Sequence, residues 1–223
     1  MNSKSPFEAE HNSICAYPDI PILDFYEGYF DSVYIILHPF TAFDEKGGPN
    51  KQVTWREFIE LAGFSDINQL DIALRNFIRG LKTKWENEAD VNTLERVCEA
   101  HKLRIPFEGK FQNVLERDML ISLQEQGHDY MFVADEHGFE RKVIYIQDLI
   151  EKKDKVELSY AGHENWYTNK HEILYTTHWD SHFTLLCSAR DTIKSILDKH
   201  SFEGFYCDSK TEIYWSLKNR IRN

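Results

Sequence analysis

Glu172-Ile173-Leu174-Tyr175-Thr176-Thr177, then His178-Trp179-Asp180-Ser181, then His182-Phe183-Thr184-Leu185-Leu186-Cys187 is the stretch that decides the fold. The two outer runs are rich in β-branched, aromatic and aliphatic residues, and four polar-leaning residues join them. That composition predicts an antiparallel hairpin. Side chains alternate along a strand, so Phe183, Leu185 and Cys187 share one face and His182 lies on the other. A slip of one residue would exchange the two sets, so the apolar face fixes the register.

Working outward, Tyr130–Ala134 and Glu140–Ile146 read as a second hairpin around Asp135-Glu136-His137-Gly138. A short helix is expected at residues 147–152, and a strand at Gly204–Cys207. Ser188-Ala189-Arg190-Asp191 reads as a capping box before a helix through Ile193, Ile196 and Leu197, and residues 212–217 as a strand or terminal helix. Toward the N-terminus the period changes. Residues 1–30 read as an irregular arm broken by Pro6, Pro18 and Pro21. Val33–Leu37 reads as one buried strand ended by His38-Pro39, and Gly47-Gly48-Pro49 as a loop. Thr54-Trp55-Arg56-Glu57 is a capping box, with the helix stopping at Gly63. A longer helix capped by Ser65 carries Ile67, Leu70, Leu74, Phe77, Ile78 and Leu81 on its apolar face, with Arg75, Arg79 and Lys82 on a solvated face. Further helices are expected from Asp90 to before Pro106, and from Phe111 to Gly127. The reading is therefore one α+β domain over residues 1–223. It has a mostly helical N-terminal half, and an antiparallel sheet with one or two helices in the C-terminal half.

Composition narrows the function classes. The chain has 42% hydrophobic and 14% aromatic residues, which excludes a disordered polymer. Its net charge of −11 is uneven: residues 1–50 hold eight acids against two bases, and residues 111–150 eight against three. Nucleic-acid binding needs a basic footprint, so no nucleic acid is expected, whereas a basic protein partner would be attracted. Val33–Leu37, the longest apolar run, is too short to cross a bilayer, and residues 1–12 lack a signal-peptide core. Cysteines 15, 98, 187 and 207 form no Cys-x-x-Cys pair. Reduced thiols in a cytoplasm are the expectation.

One constellation hints at chemistry. On an extended strand His178, Asp180 and His182 would share a face, and two imidazoles with a carboxylate suit a divalent transition metal. A hairpin connection would break that geometry, with Asp180-Ser181 capping its own backbone. His163-Glu164 and His171-Glu172 begin a helical zinc-protease pattern, but Tyr167 and Tyr175 replace its second histidine. Cys187 precedes a helix start, yet a buried structural thiol is the ordinary role for such a residue. No phosphate loop, Gly-x-Gly-x-x-Gly or Gly-x-Ser-x-Gly occurs.

Thr177-His178-Trp179-Asp180-Ser181-His182-Phe183-Thr184, Gly204-Phe205-Tyr206-Cys207-Asp208, Ile36-Leu37-His38-Pro39-Phe40 and Leu70-Asp71-Ile72-Ala73-Leu74-Arg75 together resemble the YwbB-like proteins of bacilli. The resemblance implies a cytoplasmic bacterial protein and carries no catalytic roles with it. Two functions follow as expectations. The first is a non-enzymatic protein-binding module, immunity-type or regulatory, with no cofactor, a basic partner and Tyr26, Tyr29 and Phe30 as its surface. The second is a metal-dependent hydrolase using His178, Asp180 and His182, with Glu172 or Glu212 as general base.

Overall fold

The computed structural model describes residues 11–43, 49–81, 83–151 and 165–220. The apolar run of β1 (Ser32–Leu37) is buried at every position, so it needs a partner surface on both faces. It pairs with β9 (Phe183–Ser188) along one edge and with β10 (Gly204–Tyr206) along the other, both antiparallel. The sheet extends from β9 through β8 (Leu174–Thr176), β7 (Asn165–Thr168) and β5 (Tyr130–Ala134) to β6 (Arg141–Tyr145). All seven strands run antiparallel to their neighbours.

Helices cover both faces. Val33, Ile35, Leu37, Phe183, Leu185 and Cys187 pack with Trp55 and Phe58 of α2 (Trp55–Ala62), Leu70 and Leu74 of α3 (Ile67–Phe77), and Leu94 and Val97 of α4 (Glu88–His101). Tyr34, Ile36, Tyr175 and Leu186 pack on the other side with Leu115, Met119 and Leu123 of α5 (Asn113–Glu125), Ile146 of α6 (Ile146–Ile150), and Ile193 and Ile196 of α7 (Arg190–Leu197). Alternation along β9 therefore sends Phe183, Leu185 and Cys187 into one core and Leu186 into the other, with every position buried. Phe183, Leu185 and Cys187 keep the expected register. His182, expected to face away from their core, is itself fully buried.

The mostly helical N-terminal half is corrected by this structure. Besides β1, which lies inside the large sheet, the first half forms a three-stranded sheet. It comprises β2 (Phe40–Phe43), β3 (Pro49–Val53) and β4 (Leu103–Arg104), in the order β3-β2-β4. The C-terminal half is sheet-rich, and the whole is a mixed α+β arrangement. His38-Pro39 interrupts the chain for only two residues. Phe40 then resumes extended structure opposite Val53, stacking on Phe58 at 3.9 Å between ring centroids. Only Pro49 of the expected Gly47-Gly48-Pro49 loop is among the described residues, and it opens β3. Residues 1–10 of the expected arm, Pro6 among them, lie outside the described residues; in the rest, α1 (Ile22–Phe25) and the turn after it pack Ile22, Phe25, Tyr26 and Phe30 into the core.

Local signals decide several ends. The Thr54 capping box forms, its hydroxyl accepting from Glu57 N at 3.1 Å while the Glu57 carboxylate accepts from Thr54 N at 2.8 Å. Glu203 adds to it across the fold, accepting from Trp55 N at 2.6 Å and Arg56 N at 3.0 Å, so the start of α2 is anchored to the strand beside β1. The cap of α3 is Asp66 rather than Ser65, and that helix stops at Phe77 because Ile78 caps it and Arg79 turns left-handed at φ 58°. No capping box forms at Ser188: its hydroxyl donates to the Glu172 carbonyl, and Ala189 stands at the cap.

Gly204 has to be glycine for a steric reason. A Cβ there would overlap the Ile35 carbonyl oxygen and press on the Tyr34 ring. Gly204→Ala is expected to lower stability by roughly 1–3 kcal/mol through a forced backbone shift, read as a lower urea midpoint. An unchanged midpoint would mean that β10 is not held against β1 in solution.

Candidate functional site

The segment singled out by sequence is a tight connection between β8 and β9. Ser181 N donates to the His178 carbonyl at 3.0 Å, and Ser181 Oγ donates to the same oxygen at 2.7 Å. Thr177 Oγ1 closes the base of the turn by donating to the Phe183 carbonyl at 2.9 Å. Gly109 packs directly on the Trp179 backbone and donates its N–H to the Ser181 carbonyl at 3.0 Å, so the chain after β4 braces the turn. A side chain at position 109 would collide with Trp179, and the φ of +64° there also favours glycine.

This turn separates the three side chains. His178 is 2% exposed, lies 4.0 Å from the Trp179 ring, and accepts from Asp180 N at its Nδ1, which leaves the proton on Nε2. Asp180 Oδ2 accepts from Tyr214 OH at 2.8 Å. Burial, and then the Asp180 carboxylate, push that phenol up to about 12. His182 is fully buried, with Arg75 and His38 as its electrostatic neighbours. Among the described residues, no group of three or more His, Cys, Asp or Glu side chains is placed to hold a metal ion. Of the two general-base candidates, Glu172 stands at the other end of β8, its side chain 3.8 Å from His128 Nε2. Glu212 lies beside Ile213, in the segment that packs next to the turn. His171 sits in a left-handed turn stacked on Tyr167 at 4.7 Å, and His163-Glu164 falls outside the described residues.

What converges here instead is a buried polar cluster that the sequence reading missed. Asp71 and Arg75, one helical turn apart on α3, form an ion pair at 2.7 Å with both side chains fully buried. The guanidinium also donates to the Asp180 carbonyl and the Ile213 carbonyl, each at 2.8 Å, and lies 4.6 Å from the centre of the Tyr214 ring. Ser216 Oγ donates to Asp71 Oδ2 at 2.5 Å. One arginine thus joins α3, the β8–β9 turn and the segment before the terminal 3-10 helix (Trp215–Arg220). Arg75 is no solvated helix face. The signal available in sequence was the Asp71–Arg75 spacing beside Leu70, Ile72, Ala73 and Leu74.

His38 completes the cluster from the end of β1. Its N–H donates to the His182 carbonyl at 3.0 Å, extending the β1–β9 ladder by one step. Its Nε2 meets Thr184 Oγ1 at 2.8 Å. Burial pulls the His38 imidazole down to about 3, only partly opposed by the Phe107 carbonyl. Burial, then the Arg75 charge, then His38 hold His182 well below its ordinary value. Both rings are neutral at physiological pH.

Cys187 is fully buried, and burial raises its thiol far above the range of a reactive nucleophile. All four cysteines are free thiols. Of the N-terminal aromatics, Tyr26 and Phe30 pack inward, and Tyr29 is 37% exposed.

A different surface is open. In the β5–β6 hairpin, Tyr130 lies opposite Tyr145 and Phe132 opposite Val143. Tyr130, Phe139, Val143 and Tyr145 are exposed at 54%, 62%, 60% and 39%. The Tyr130 and Tyr145 rings are 5.0 Å apart, and Arg141 lies 5.6 Å from the centre of the Phe132 ring. Strand β6 is the edge of the sheet, with no further strand beside it among the described residues. Residues 129–151 carry six acids against two bases. Also among the described residues, no helix is long and apolar enough to cross a membrane.

The chain belongs to the family described as "Protein of unknown function (DUF2711)", whose model matches residues 18–217. No curated protein and no solved structure matches it.

Proposed function

We propose that this member of the family is a non-enzymatic protein-binding module, immunity-type or regulatory in use, that takes a basic partner along the β5–β6 hairpin. The observation that carries the reading is the exposed row Tyr130, Val143 and Tyr145 lying beside an edge strand. An edge strand offers backbone N–H and C=O groups to an added strand, and the side chains beside it select the sequence. Aromatic residues supply the buried anchors of such contacts. Acids around the hairpin favour a partner of opposite charge, steering the encounter more than setting its final strength. The bacterial cytoplasm implied by the narrower likeness to the YwbB-like proteins is part of the same proposal. The metal-hydrolase alternative is not carried further, because Tyr214 occupies Asp180 and His182 sits closed in beside Arg75.

A photo-reactive amino acid at position 143 tests this in extracts of the source cell. It is expected to cross-link repeatedly to one basic protein, with the yield falling as salt is raised. Val143→Lys with Tyr145→Lys should then weaken binding of that protein at least tenfold. The unfolding free energy from urea titration should stay within ~0.5 kcal/mol of the parent, because both positions are exposed. Capture of no protein, or binding indifferent to the two lysines, rejects the reading.

A further inference from the structure

We infer that the enclosed seam between α3, the end of β1 and the β8–β9 turn holds ordered water that bridges the His182 imidazole to the Arg75–Asp71 pair. His182 is fully buried, and neither of its ring nitrogens reaches a hydrogen-bonding group of the protein. Asp71 Oδ1 is in the same position. Each such orphan forfeits its hydration without compensation if nothing satisfies it. Three together in one seam would weigh heavily on a domain whose net stability is small. Native proteins resolve such groups with internal water, which makes about three hydrogen bonds at a polar site.

The chemistry of the cluster selects the guest. A neutral imidazole presents one donor and one acceptor, Asp71 Oδ1 presents an acceptor, and the guest must both give and receive hydrogen bonds. Arg75 uses three of its five N–H donors on Asp71 and the Asp180 and Ile213 carbonyls, so two remain for an acceptor. A cation is opposed by Arg75 and an anion by Asp71. A neutral hydroxylic molecule fits, and enclosure restricts its size: Asp71, Arg75, His38, His182 and Thr184 are all fully buried. Water satisfies every condition. A guest so enclosed is part of the structure and not a substrate in turnover, which separates this inference from the binding surface at β5–β6.

Oxygen-17 relaxation dispersion on the full-length protein counts long-lived internal waters, and water-to-imidazole cross-relaxation places them. The wild type is expected to show cross-relaxation between water and the His182 ring CH protons. His182→Phe removes both orphan nitrogens with a ring of similar size and should lower the dispersion amplitude by about one or two waters. Where His182→Phe does not fold, the wild-type ring signal alone decides. Absence of water contact at the His182 ring overturns the inference. So does a dispersion amplitude unchanged in folded His182→Phe, or a small polyol released on denaturation and identified by its mass.

Discussion

Arg75→Leu is expected to lose roughly 3–5 kcal/mol of stability, read as a lower urea midpoint at neutral pH. The magnitude follows from what the substitution leaves behind. Asp71 would keep only the Ser216 hydroxyl, and the carbonyls of Asp180 and Ile213 would each lose a charged donor inside the fold. Adding Asp71→Leu should recover part of the loss, since a buried pair replaced by apolar side chains is often tolerated. Recovery should not be complete, because the two carbonyls stay orphaned. Arg75→Lys tests geometry against charge. An ammonium cannot span a carboxylate and two carbonyls in one plane, so it should resemble Leu more than Arg. A loss below ~1 kcal/mol for Arg75→Leu would show that the arginine does not join these segments in solution.

Where an element is decided by nearby residues, it was legible. Thr54 and Glu57 satisfy each other's backbone, and the hairpin registers follow from alternating apolar positions against two turns. The three-stranded sheet was not legible, because its strands are short and β4 contributes only Leu103 and Arg104 from beyond α4. The helical period of residues 67–77 was visible and its polar face was misread. Periodicity assigns a face to solvent by default, and only a distant segment, here Ile213 to Ser216, could reveal that this face is covered. At His178–His182 the sequence left a shared strand face and a hairpin connection that breaks it side by side. The strand parity that grouped the two histidines with Asp180 assumed extended backbone, while Ser181 closes a turn onto the His178 carbonyl.

Acid should unfold this protein earlier than its carboxylates alone would dictate. His38 is held near 3 against an ordinary 6.5, and His182 is shifted in the same direction. In the unfolded chain both rings take a proton as pH falls below 6.5, while in the folded chain they do not. The unfolded state therefore binds more protons in that window, and stability rises with pH through it. The contribution is fully present above pH 6.5 and is lost as pH falls toward 3, amounting to roughly 2–3 kcal/mol for His38 between pH 7 and 4.5, with His182 adding in the same direction. The groups around the two rings reinforce it. Arg75 opposes a positive charge on His182, Thr184 occupies His38 Nε2, and the Phe107 carbonyl offsets burial only in part. The carboxylates with lowered values, Glu57, Glu125 and Asp208, act below their ordinary range and leave the window from 6.5 to 4.5 to the histidines. Urea midpoints at pH 7, 5.5 and 4.5 should fall steadily. His38→Gln should flatten the slope by about one proton while lowering the midpoint at pH 7. A parent midpoint that holds level between pH 6.5 and 4.5 would place both imidazoles in contact with solvent, and the buried polar cluster would then be open.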